Sequence, residues 1–79
     1  MEKAPYQEGD LVEPAHLPIK AIANGCASLP ITKPRVLVVA RIWWSEIEGH
    51  YLVRFFDHPG DWPAEAFYRQ SRQRHFATR

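Results

Sequence analysis

The sequence predicts a small all-β domain, a barrel of about five strands with a long first loop. Three observations carry that expectation. Two apolar runs, residues 36–44 and 50–56, are rich in β-branched and aromatic residues, and both are too short to span a membrane. The stretch between them has Gly49 near its end, which suits a hairpin loop that needs a positive φ. Soon after the second run comes Asp57-His58-Pro59-Gly60-Asp61, with proline and glycine placed as a type II turn wants them.

In chain order, residues 1–8 read as a flexible N-terminus. Gly9-Asp10-Leu11-Val12 looks like an opening strand, with Leu11 or Val12 facing in, and Pro14 stops it because proline cannot donate to a central ladder. Residues 15–34 are loop-like, with prolines 18, 30 and 34 spaced along them. Residues 18–24 have the signals of one or two helical turns, opened by Pro18 and stopped by Gly25. A loop of that length is functional or packs as a cover, and Ile19, Ile22 and Leu29 are its apolar contacts.

Strict alternation through the hairpin puts Val36, Val38, Ala40, Ile42, Tyr51, Val53 and Phe55 in the core. Arg41 and Arg54 then mark the outer face, together with Leu37, Val39, Trp43, Leu52 and Phe56. That outer face is too apolar for water, so the alternation demands a cover: the 15–34 loop, the C-terminal residues, a second copy of the chain, or a partner.

Beyond the Pro-Gly turn, Asp61 is placed to cap a short helical turn beginning at Pro63, with a brief strand over 67–70 and Glu65 and Arg69 spaced i, i+4. Residues 71–79 have no apolar pattern and read as a flexible basic tail, which leaves 9–70 as the domain.

Seventy-nine residues make one small domain, and the lone Cys26 excludes an intrachain disulfide and fits a reducing compartment. The first ten residues lack the apolar stretch of a signal peptide, so the expected location is the cytoplasm. The net charge of +1 hides a split: residues 1–68 carry six Lys/Arg against nine Asp/Glu, while residues 69–79 carry four arginines and no acid. His16, Cys26, His50 and His58 lack the close pair spacing of metal sites, and no phosphate loop is present. The expectation is therefore a non-enzymatic module without cofactor, metal or catalytic residues. Two features point to binding. Trp43, Trp44, Tyr51, Phe56 and Trp62 fall at or near predicted strand ends, where a barrel gathers them on one rim able to stack bases, hold cations or anchor a protein. Arg69, Arg72 and Arg74 in the tail suit phosphates or an acidic partner.

The order of Gly9-Asp10-x-Val12, long loop, hairpin, glycine turn and Pro-Ala turn resembles an SH3-like barrel. Within that superfamily, Tyr51-Leu-Val53-Arg-Phe55-Phe56-Asp57 resembles a Tudor-type strand. Tudor-like domains bind methylated side chains in an aromatic cage or serve as nucleic-acid or protein adaptors. Gly9-Asp10-x-Val12, Glu48-Gly49, His58-Pro59-Gly60 and Pro63-Ala64 are also similar to the plasmid-borne type II dihydrofolate reductases, SH3-like chains that work as tetramers. Asp61-Trp62 stands where those enzymes carry the Gln-Ile-Tyr of their pore, so this likeness implies architecture and self-association rather than reduction. The resulting expectation is a module that engages protein or nucleic acid through the aromatic rim and basic tail. The alternatives are an oligomeric enzyme of the reductase kind, or a phage or plasmid accessory protein that binds a host protein.

Overall fold

The computed structural model of the chain describes residues 3–22 and 30–70. Cys26, Leu29, Arg72 and Arg74, and the end of the expected helical turn, lie outside the described residues. Five strands form: β1 (Leu11–Pro14), β2 (Leu37–Ser45), β3 (His50–Phe55), β4 (Trp62–Pro63) and β5 (Phe67–Arg69), with a 3₁₀ turn over Ala64–Ala66 between the last two. They make one antiparallel sheet in the order β4-β3-β2-β1-β5. The all-β class, the five strands and the short turn leading into a brief last strand are as the sequence predicts. Closure is not: β4 and β5 are the two edges, and no pairing between them closes the sheet among the described residues.

β2 joins the two halves of the sheet. Its first residues pair with β1, Val38 opposite Leu11 and Leu37 opposite Val12. From Val39 onward it pairs with β3. Val39 faces Phe55 but Arg41 faces Arg54, so Ala40 is an extra residue on β2 with no counterpart on β3. This β-bulge shifts the side-chain alternation by one residue. Ahead of it Leu37 and Val39 point inward and are fully buried, while Val36 and Val38 are exposed. Past it Arg41 and Trp43 point outward and Ile42 packs against the core. Strict alternation therefore assigns the first half of β2 to the wrong face. It holds for β3, where Val53 and Phe55 are buried and Tyr51 packs against the core.

The same bulge takes Leu37 and Val39 off the outer face and leaves Val36 and Val38 exposed in their place. Leu37 and Val39 belong to the core, and Leu52 is buried beside its cross-strand neighbours Trp43 and Pro63. Phe56 alone of the four aliphatic and phenyl side chains expected there stands in solvent, at 73% exposure.

The long first loop closes over the core rather than over the outer face. Ile19 and Ile31 exchange two backbone hydrogen bonds of 2.9 Å, and both are buried with Val12, Val39 and Val53. This bridge replaces the helical turn expected from Pro18, because two β-branched side chains gain more by entering the core than a proline start gains locally. Ile22 donates its N–H to the Asp61 carbonyl at 2.7 Å, which ties the loop to β4.

The N-terminal segment differs from the frayed end the sequence suggests. Tyr6 is buried in the core cluster and its hydroxyl donates to the Ala64 carbonyl at 2.7 Å. Its burial pushes the phenol well above the ordinary value of 10.0. A raised folded pKa means that the unfolded chain releases this proton first. The contribution is complete below the ordinary phenol value and is lost as pH rises through it and beyond. Alkaline destabilisation should therefore be steeper in the native chain than in Tyr6→Phe, by up to about 1.4 kcal/mol per pH unit in the unfolding free energy from urea titrations above pH 10. Parallel curves for the two proteins would exclude a buried Tyr6 hydroxyl.

Gly49 and Gly60 hold φ of 77° and 117°, the left-handed values that the two turns require. Asp61 does not cap the 3₁₀ turn, whose N-cap is Pro63 with no side-chain cap bond. It is instead a buried carboxylate that accepts a hydrogen bond from Arg54 Nε at 2.6 Å. Arg69 of β5 pairs at 3.9 Å with Asp10, the residue just before β1, instead of with Glu65.

Candidate functional site

The five aromatic residues expected on one rim occupy three environments. Trp62 is wholly buried in the core, stacked at a tilt against His58 with ring centroids 5.1 Å apart. Trp43 lies on the outer side of β2 opposite Leu52, and Phe56, just past the end of β3, stands in solvent. Trp44 and Tyr51, directly opposed across β2 and β3, continue the inward face past Ile42 and Val53 to the open end of the core.

Alternation explains this division. Once the bulge has set the phase of β2, Ile42 and Trp44 share one face and Arg41 and Trp43 the other, so adjacent tryptophans must part. The four-residue turn after Ser45 fixes the register beyond them: Ser45 Oγ accepts the Glu48 N–H at 3.1 Å and Ser45 O accepts the Gly49 N–H at 2.8 Å.

Trp44 and Tyr51 meet edge to face, centroids 5.2 Å apart and planes at 81°, and both are half-buried. They line a groove of about 570 Å³ bounded by Lys3 and Pro5 of the N-terminal segment, His50 of β3 and Glu65 of the 3₁₀ turn. The Tyr6 hydrogen bond to Ala64 holds the two flanking walls together, so the groove depends on the N-terminal segment being docked. Two nearly perpendicular rings make a notch with apolar sides and one acidic, one basic and one imidazole group at its margin. Sequence reasoning finds Trp44 and Tyr51 but misses Lys3, Pro5 and Glu65. An aromatic at position 6, inside an otherwise polar terminus, is the signal that this segment packs.

The outer face is built differently. Arg41 and Arg54 sit directly opposite each other, and both guanidiniums lie against Trp43, 4.8 and 5.3 Å from its ring centroid. The Arg54 guanidinium is hydrogen-bonded to Asp61 and faces its charge, which raises the pKa of Arg54 further above its ordinary value. Of the basic-tail residues, Arg69 is engaged with Asp10 and half-exposed.

Among the described residues no three His, Cys, Asp or Glu side chains gather as a metal site would, and no helix is long and apolar enough to cross a membrane. Compared with protein-family models, with curated proteins and with solved structures, the chain matches none.

Proposed function

We propose that this chain is a non-enzymatic, SH3-like module that binds an extended peptide in the groove floored by Trp44 and Tyr51. The strand order, the long β2 shared by both halves of the sheet and the 3₁₀ turn between β4 and β5 support the SH3-like reading. The observation that carries the function is the edge-to-face pair at the open end of the core. A flat nucleobase stacks on a flat platform. A notch between perpendicular rings instead receives a puckered or aliphatic group, and a proline-rich segment offers such groups at low entropic cost. Glu65 and Lys3 at the margin would set the direction of the chain by pairing with its charged residues.

The test is selection from displayed proline-rich peptides against the full-length chain, followed by affinity measurement on variants. Trp44→Ala and Tyr51→Ala should each weaken a selected peptide by roughly tenfold or more, as central aromatic contacts do. Glu65→Lys should change the charge preference rather than abolish binding. Selected peptides that bind Trp44→Ala and Tyr51→Ala undiminished would remove the groove from consideration.

A further inference from the structure

We propose that the outer face of β2 and β3 is a second site, for single-stranded nucleic acid, made by Arg41 and Arg54 against Trp43, with Phe56 two residues beyond Arg54 as its stacking surface. The first reason is charge. Arg41 and Arg54 face each other directly across the strand pair, an arrangement that repels and costs stability in isolation. Arg54 donates to Asp61 from Nε at 2.6 Å and from Nη2 at 3.5 Å, and no carboxylate among the described residues forms an ion pair with Arg41. The face therefore keeps a surplus cation beside a second one, and an anion placed between them relieves the repulsion.

The second reason is geometry. Both guanidiniums lie on the Trp43 indole. A guanidinium held over an aromatic ring keeps its N–H edge available for the oxygens of a phosphate, and stacking fixes its orientation in advance. The third reason is Phe56. It follows Arg54 by two positions on the same outward side, is hydrogen-bonded through its N–H to Val38 O at 3.3 Å, and exposes 73% of its surface. An exposed phenyl ring next to paired arginines is a stacking surface beside phosphate ligands, the combination that single strands require. A duplex would present its phosphates but not its base faces, so Phe56 would go unused. An acidic peptide would satisfy the arginines and likewise leave the ring in water.

Fluorescent oligo-dT and oligo-rU of about 12 nucleotides, a length within the site size of small β-folds, are the probes. By anisotropy the full chain should bind them at low salt, with few phosphate contacts and a log–log salt slope of only about −1.4 to −2. Phe56→Ala should weaken binding by roughly tenfold through the lost stacking. Arg41→Ala should weaken it and make the slope shallower by about 0.7. Both side chains are exposed, so the melting temperatures should not move. Trp44→Ala, in the groove, should bind oligonucleotide as the native chain does.

No binding at low salt overturns the proposal, as does binding that Phe56→Ala and Arg41→Ala leave intact. Loss confined to a chain carrying Arg72→Ala and Arg74→Ala would put the contact on the tail and overturn it as well. Binding of poly-glutamate that requires Arg41, without binding of either oligonucleotide, would assign the face to an acidic protein instead. Self-association that Phe56→Ala abolishes would assign it to a second copy.

Discussion

Trp62→Ala should leave a chain that does not fold at room temperature. Trp62 is the largest fully buried side chain, closed off by the core and tilted against His58. Truncating a buried tryptophan costs about 3–5 kcal/mol, and a domain of this size has little more than that in total. Trp62→Phe should behave quite differently. The indole Nε1 is buried without a hydrogen-bond partner among the described residues, and such a donor carries a penalty of about 1–3 kcal/mol. Phenylalanine removes that penalty while giving up some buried area, so the two changes offset and the net effect should stay below about 1.5 kcal/mol. Circular dichroism and urea titration of both variants decide the matter. A Trp62→Ala protein with a native midpoint would mean that the ring is not in the core.

The second large effect distinguishes the two possible faces of β2. Leu37→Ala should destabilise by about 2–5 kcal/mol, because Leu37 has no exposed surface and packs with Val12, Val39 and Phe67 in one cluster. Val38→Ala, one residue away and partly in solvent, should change stability by no more than about 0.5 kcal/mol. Unbroken alternation demands the reverse order. Urea midpoints that move for Val38→Ala and not for Leu37→Ala would therefore deny the bulge at Ala40.

The legibility of the fold divides at that bulge. Regular local rules were readable: Gly49 and Gly60 where φ is positive, Val53 and Phe55 inward, and the short turn before Phe67. The bulge was not, because one unpaired residue leaves no compositional mark. Its trace was present as a contradiction: with Arg41 fixed outward, Leu37 and Val39 landed in water. A covering partner and a phase shift explain that contradiction equally well from sequence, and only the Val39–Phe55 and Arg41–Arg54 register separates them.

The core contributions of Tyr6 and Ile31 are illegible for a different reason, and Ile19 is legible as a packing residue of the loop but not as a member of the core. Each is an isolated apolar residue in a segment without period, and its burial is decided by contacts distant in sequence, such as Tyr6 with Ala64. Asp61 followed the same pattern, since its position before Pro63 suggests a cap while its partner is Arg54 on the neighbouring strand. Within the candidate site, the aromatic pair was visible by composition, but the division of Trp43 from Trp44 follows from alternation alone. The groove's other walls came from elements that carry no motif.

That division supplies the most direct test. Each tryptophan contributes one indole N–H signal to a nitrogen–proton correlation spectrum, and the three report on the outer face, the groove and the core. Titration with a selected proline-rich peptide should shift the Trp44 indole signal in proportion to occupancy and leave those of Trp43 and Trp62 in place. A shift confined to Trp43, or a saturating peptide that moves none of the three, would contradict peptide binding in the groove.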